Sequence, residues 1–350
     1  MSTADVHGRR VTWVELFFDL IFVAAVSQVA APLHEHYSLT ELARFTPLFV
    51  LIWWAWTGHT LFSSRFNTDD GIQRLLTLAQ IFAVAVMAAN AKDALDSRSS
   101  AGFAAAYAGV RLVLVAQYVR ARHVVEARPL TIRYLLGHGV AALLWLSSAL
   151  VPAPGRFWIW GVAFLIDFST PWLAVRHSTR IPHDAAHLPE RFGLFTLILL
   201  GEAVVAVMRG MESQEDWPVQ AAMSAIGGMA VLFAVCWWYF DRATVSASQP
   251  IRSRRDAIVF QVWSYAHLPL YVGVAVAGVG IERVVSAAAR ASLTGSDTLI
   301  LGTASVTVVA AMLTITATSG GYRANRMSTS RSTNFHSSVA RNSPARSSNA

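Results

Sequence analysis

The chain is nearly without cysteine and poor in charge. Its single cysteine, Cys236, lies in an apolar run beside Trp237 and excludes an intrachain disulfide and a thiolate metal cluster. Charged residues make up 14% of the 350, against about 25% in ordinary soluble domains, and 54% are hydrophobic. An ordinary soluble fold is therefore excluded. No glycine-rich phosphate loop, nucleophile elbow or metalloprotease motif appears, so soluble-enzyme chemistry has no motif to rest on. The first apolar stretch begins after Arg9 and Arg10, lacks a small-residue cleavage site and carries Glu15 and Asp19, which predicts a retained helix instead of a removable signal.

What the sequence does have is long apolar runs. They fall near 11–30, 45–63, 72–91, 102–119, 132–151, 157–175, 190–210, 219–240, 257–280 and 298–318, each close to the roughly 20 residues that a helix needs to cross a bilayer. The expected fold is all-α, a polytopic transmembrane helical bundle of about ten spans over residues 1–318. Arginines concentrate in alternate connectors, among them 120–131 and 246–256, while Arg44, Lys92, Arg98, Arg156, Arg209, Arg283 and Arg290 fall on the other side. The positive-inside rule then places both termini in the cytoplasm. The net charge of +7 follows this topology and does not mark a nucleic-acid surface. Residues 319–350, rich in Ser, Arg and Asn without apolar periodicity, are expected to form a disordered cytoplasmic tail. An offset of 183 residues brings Asp19 onto Glu202, and nearly aligns Trp53-Trp54 with Trp237-Trp238, a weak parallel repeat.

Ionisable groups inside the apolar runs carry the chemistry, because each costs roughly 2.5–3.5 kcal/mol on insertion scales. Glu15 and Asp19 share one face of the first helix, Asp167 falls mid-way along the sixth and Glu202 mid-way along the seventh. Arg111 reads as the one obvious buried counter-charge, with His59, His138 and His267 in the second, fifth and ninth helices. Four acids facing one fixed cation imply protonation or a bound cation. Three readings remain open: a structural network that fixes helix register, a path for a proton, cation or small solute, and an enzyme or redox site in which the three histidines are haem or metal ligands. Pro171 and Pro269 free backbone carbonyls near Asp167 and His267, or merely bend their helices. The tryptophans of 53–56 and 237–238 read as packing or interface anchors. His34-Glu35-His36 lacks a third defined ligand for zinc, and His177, His183 and His187 read as solvated loop residues.

Three blocks in order, VTWVELFFDLIFVAAVSQVA at 11–30, SRFNTDDGIQRLLTLAQ at 64–80 and HLPERFGLFTLILLGEAVVAV at 187–207, resemble the bacterial low temperature requirement A family. WWYFD at 237–241 and HLPL at 267–270 add to the resemblance, which extends over the first nine helices. It implies a multi-pass protein of the bacterial cytoplasmic membrane and names no reaction. It also singles out Glu15, Asp19, Asp69, Asp70, Glu190, Arg191 and Glu202 as matching family positions. The expectation is a proton- or cation-coupled transporter or channel. Asp19 and Glu202 form its protonatable centre, and Glu15, Arg111, Asp167 and His267 support it. Its partners are membrane lipids and a proton, cation or small solute, without cofactor, metal or nucleic acid. The alternatives are a membrane enzyme or redox protein and a non-catalytic lipid- or partner-binding scaffold.

Overall fold

The computed structural model describes residues 12–66, 70–96, 99–178, 181, 183, 184, 187–214, 218–243, 253–287 and 293–341, the last of these without side chains beyond 318. Among them the secondary structure is helical throughout, with ten long α-helices in chain order. These are α1 (Trp13–Glu35), α2 (Leu39–Ser63), α3 (Gly71–Ala89), α4 (Ser100–Ala121), α5 (Arg128–Ser148), α6 (Gly155–Ala174), α7 (His187–Glu212), α8 (Val219–Trp238), α9 (Arg254–Ala287) and α10 (Gly295–Arg341).

Side-chain caps set several starts. Thr12 and Glu15 form a capping box at α1, Ser38 caps α2 by accepting from the Glu41 amide, and Asp70 caps α3 by accepting from the Gln73 amide. Nine of the ten helices, counting Gly295–Thr318 of α10, are long and apolar enough to cross a membrane. The tenth, α2, has the length at 25 residues but not the apolarity, since Trp53, Trp54, Trp56, Thr57, Gly58, His59 and Thr60 occupy its middle. The cause is its position. Every residue from Leu51 to Ser63 is buried, so α2 faces other helices and has no need of a lipid-compatible surface. Peripheral helices are the reverse: Leu75, Leu78 and Phe82 of α3, Leu136 and Leu143 of α5, and Ile226 and Phe233 of α8 all point outward. Apolar outside and polar inside is the arrangement that hydrocarbon demands.

Helices α3 to α6 pack as successive neighbours, α1 lies on α2 and α3, and α7 lies on α8 and α9, with α9 also against α10. The neighbour order of α1 to α4 thus recurs in α7 to α10. The recurrence stops at the side chains, because Trp53 is fully buried while Trp237, its expected counterpart, is 66% exposed. The two groups meet where α1 and α2 touch α7 and α9. At the α7–α9 contact a Cβ on Gly278 would stand 2.8 Å from Ala203 Cβ and 2.9 Å from its Cα, so the helices approach through small residues. Gly278→Leu is therefore expected to destabilise the fold by about 1–3 kcal/mol through overpacking. Thermal unfolding in detergent measures it, and an unchanged midpoint would contradict this contact.

Candidate functional site

Among the described residues, three clusters of ionisable groups between the helices hold the acids of α1, α6 and α7, two of them buried. The first joins α1 to α7. Glu15 and Asp19 are four residues apart on α1, and His187 and Arg191 are four apart on α7, so two matched pairs face each other. His187 Nε2 lies 3.1 Å from Glu15 Oε1, Arg191 Nη1 lies 3.4 Å from the same oxygen, and Arg191 Nη2 donates to Asp19 Oδ1 at 2.6 Å. From α2, Trp56 Nε1 donates to Asp19 Oδ1 at 2.7 Å. The other oxygen, Asp19 Oδ2, is buried without a hydrogen-bond partner in the structure. Asp19, His187 and Arg191 are fully buried.

A second cluster joins α2, α4, α5 and α6. Asp167 Oδ2 accepts from Trp54 Nε1 at 2.9 Å and lies 2.8 Å from Arg111 Nε, while Asp167 Oδ1 is bonded to His138 Nδ1. Arg111 also donates to the Tyr107 hydroxyl at 2.8 Å. A Cβ at position 58 would fall 2.7 Å from Arg111 Nη1, so the glycine makes the room this guanidinium occupies. Trp54 and Trp56 stand two residues apart, about 200° around the helix, which is how α2 serves the acid of α6 and the acid of α1 from opposite sides.

The third cluster is more open. Glu202 Oε1 accepts from Ser27 at 3.0 Å and from Arg209 at 3.4 Å, and Arg209 also reaches His34 Nε2 at 3.1 Å. Because arginine only donates, His34 Nε2 is the acceptor and the ring proton sits on Nδ1, which meets Glu282 of α9. Glu202 itself is 21% exposed.

These placements correct several expectations. Arg111 is not the only counter-charge to the four acids, since the buried Arg191 faces Glu15 and Asp19 and the partly exposed Arg209 meets Glu202, so three arginines and not one stand against them. Asp19 and Glu202 belong to separate clusters. His267 joins neither: it bonds the Trp263 carbonyl and the Tyr239 hydroxyl inside a shell of Phe192, Trp263 and Tyr271. The three helix histidines have different neighbours, with His59 stacked on Phe18 and within reach of the Gln80 and Gln117 amides. Asp70 caps α3 and pairs with Arg120, Glu190 is exposed, and Asp69 lies outside the described residues.

His183 and His187 are not solvated. His183 Nδ1 is 2.6 Å from Ser64 Oγ, and burial together with the Arg65 guanidinium holds its ring well below the ordinary histidine range. Its folded form is thus neutral, and as pH falls below about 6.5 the unfolded chain takes up a proton that the folded chain refuses, so stability drops on the acid side by up to about 1.4 kcal/mol per pH unit. Unfolding midpoints from pH 7.5 to 5.5 should fall more steeply for the native chain than for His183→Gln, and parallel slopes would refute this.

Comparison with known proteins agrees with the resemblance of the sequence blocks. The bacterial low temperature requirement A protein model matches residues 10–340, farther into the Ser/Arg/Asn-rich segment than those blocks reach. An uncharacterized protein of Rhizobium meliloti (strain 1021) is similar at 24% identity over 283 residues, 77% of this chain and 68% of that protein. No solved structure matches the chain.

Proposed function

The chain belongs to the bacterial low temperature requirement A family, and from that premise we propose a multi-pass carrier of the cytoplasmic membrane that passes a proton, alone or with a small solute, through the α1–α7 centre. One observation carries the reading. Asp19 is fully buried, commits one oxygen to Arg191 and Trp56, and keeps the other, Oδ2, unbonded to protein. A buried carboxylate with an open oxygen can accept a proton or a water without breaking the contacts that hold it. Asp167 cannot, because Trp54 and His138 occupy both of its oxygens. The proton step therefore falls to Asp19, with Glu15, His187 and Arg191 setting its surroundings. Asp167, Arg111 and His267 are left to the framework. The open cluster of Glu202, Arg209, His34 and Glu282 lies farther along α1 and α7 and would be the exit toward the opposite face.

Proteoliposomes loaded with a pH-sensitive dye test this. The native chain should dissipate an imposed pH step, and Asp19→Asn, which keeps an acceptor for Trp56 and Arg191, should slow it by about tenfold or more. Equal rates for the two would sink the proposal.

A further inference from the structure

The far end of the α1–α7 contact is built on a second set of matched pairs. Ser27 and His34 are seven residues apart on α1, and Glu202 and Arg209 are seven apart on α7, so each pair keeps one helix face over two turns. Ser27 meets Glu202 at 3.0 Å and His34 Nε2 meets Arg209 at 3.1 Å, while Glu282 of α9 takes His34 Nδ1. One imidazole thus ties the end of α1 to both α7 and α9.

These contacts admit one protonation state. Arg209 has hydrogens to give and no lone pair, so His34 Nε2 accepts and the ring is neutral. A second ring proton must go to Nε2, where its N–H would face an Arg209 N–H and two positive charges would share the contact. One of them has to leave. The Glu282 carboxylate holds His34 more strongly once the ring is positive, whereas Arg209 is 38% exposed and can turn to water. Its other contacts are long, 3.4 Å from Nη2 to Glu202 and 3.6 Å from Nε to Glu282. Because Nη2 serves both His34 and Glu202, its departure leaves Glu202 with Ser27.

The remaining charges near this end are committed elsewhere. On α9, Arg283 pairs with Asp297, and Tyr37 beyond α1 sets its hydroxyl where a Cβ on Gly280 would fall 2.7 Å away. From α2 and the connector after α3, Glu41, Arg44, Lys92 and Asp96 pair with one another and with Glu35. Arg209, Glu202 and Glu282 are therefore the charges that answer to His34.

We infer that His34 is a proton-operated latch: acid in the compartment at the α1 end protonates it, expels Arg209 and frees the end of α1 from α7. Histidine is the side chain whose charge changes at such pH, and His34 and Glu282 are both partly exposed. Calling the latch the gate of the exit rests on the α1–α7 proton route, whereas the latch itself does not.

Interspin distances in the full chain in nanodiscs test it without any flux. Cys236, the lone cysteine, is replaced by serine, and nitroxides are placed through His36→Cys and Glu212→Cys, exposed positions at the ends of α1 and α7. From pH 7.5 to 5.5 the distance should lengthen by about 2 Å, the scale of helix shifts in switching proteins. His34→Gln should abolish the change, because its amide oxygen accepts from Arg209, its amide nitrogen donates to Glu282, and it does not titrate. His34→Lys, with a fixed positive charge, should show the acid distance already at pH 7.5. A parent distance that ignores pH, a His34→Gln chain that responds as the parent does, or a His34→Lys chain with the neutral-pH distance would each overturn the inference. Asp19→Asn should respond like the parent, so a blank flux assay would refute the proton route and leave the latch standing.

Discussion

Asp167→Asn or Arg111→Met, made singly, is expected to destabilise the protein by about 3–5 kcal/mol, because each leaves a fully buried charge without its counter-charge. The environment gives that charge nowhere to go. Asp167 and Arg111 are both fully buried, and the guanidinium occupies space that only a glycine at position 58 leaves open. Arg111→Met combined with Asp167→Asn should recover most of the loss. Asparagine keeps an oxygen for Trp54 Nε1 and an amide for His138, and methionine fills the guanidinium's volume without charge. Unfolding midpoints in detergent give the stabilities, and the cycle gives the coupling. The double variant should also dissipate a pH step at the native rate, since these residues belong to the framework. Single variants as stable as the native chain would mean that the pair is not held as buried charges.

The helices were legible because a bilayer demands long apolar runs, and the apolar runs found in the sequence correspond one for one to α1 through α10. Glu15, Asp19, Arg111 and Asp167 were legible as interior groups because a charge in such a run cannot face lipid. Their partners were not. Arg191 and His187 stand in the first turns of α7, where a basic residue looks like part of a solvated connector, and they meet α1 only through a contact 172 residues away in sequence. The expected pairing of Asp19 with Glu202 fails for a geometric reason. Glu202 follows Arg191 by 11 positions, about 16 Å along α7, so a register that gives Asp19 to Arg191 sets Glu202 against Ser27 instead. The tryptophans hid a second role, since packing and hydrogen bonding use opposite ends of the same ring system. The weaker hydropathy of α2 was itself a sign of its central position.

Arg191→Met is expected to be as damaging as either framework variant, about 3–5 kcal/mol, since it strips the fixed cation from two carboxylates at once. A triple variant separates the α1–α7 centre from the framework. Combining Arg191→Met with Glu15→Gln and Asp19→Asn removes every fixed charge of the centre except what His187 can carry. It also leaves an oxygen for Trp56 Nε1 and for the Thr12 amide that Glu15 now caps. The triple variant should therefore regain a melting point near that of the native chain. It should still fail to dissipate a pH step, because no carboxylate remains to take up the proton. Restored stability with restored flux would show that proton passage does not depend on these acids, and would move the search to the cluster around Glu202. In the framework cluster neutralising the charges together rescues stability and spares transport, whereas in the α1–α7 centre it rescues stability and abolishes transport. The same physics of buried pairs thus yields opposite functional outcomes, and the difference traces to one carboxylate oxygen, Oδ2 of Asp19, that the protein leaves unbonded.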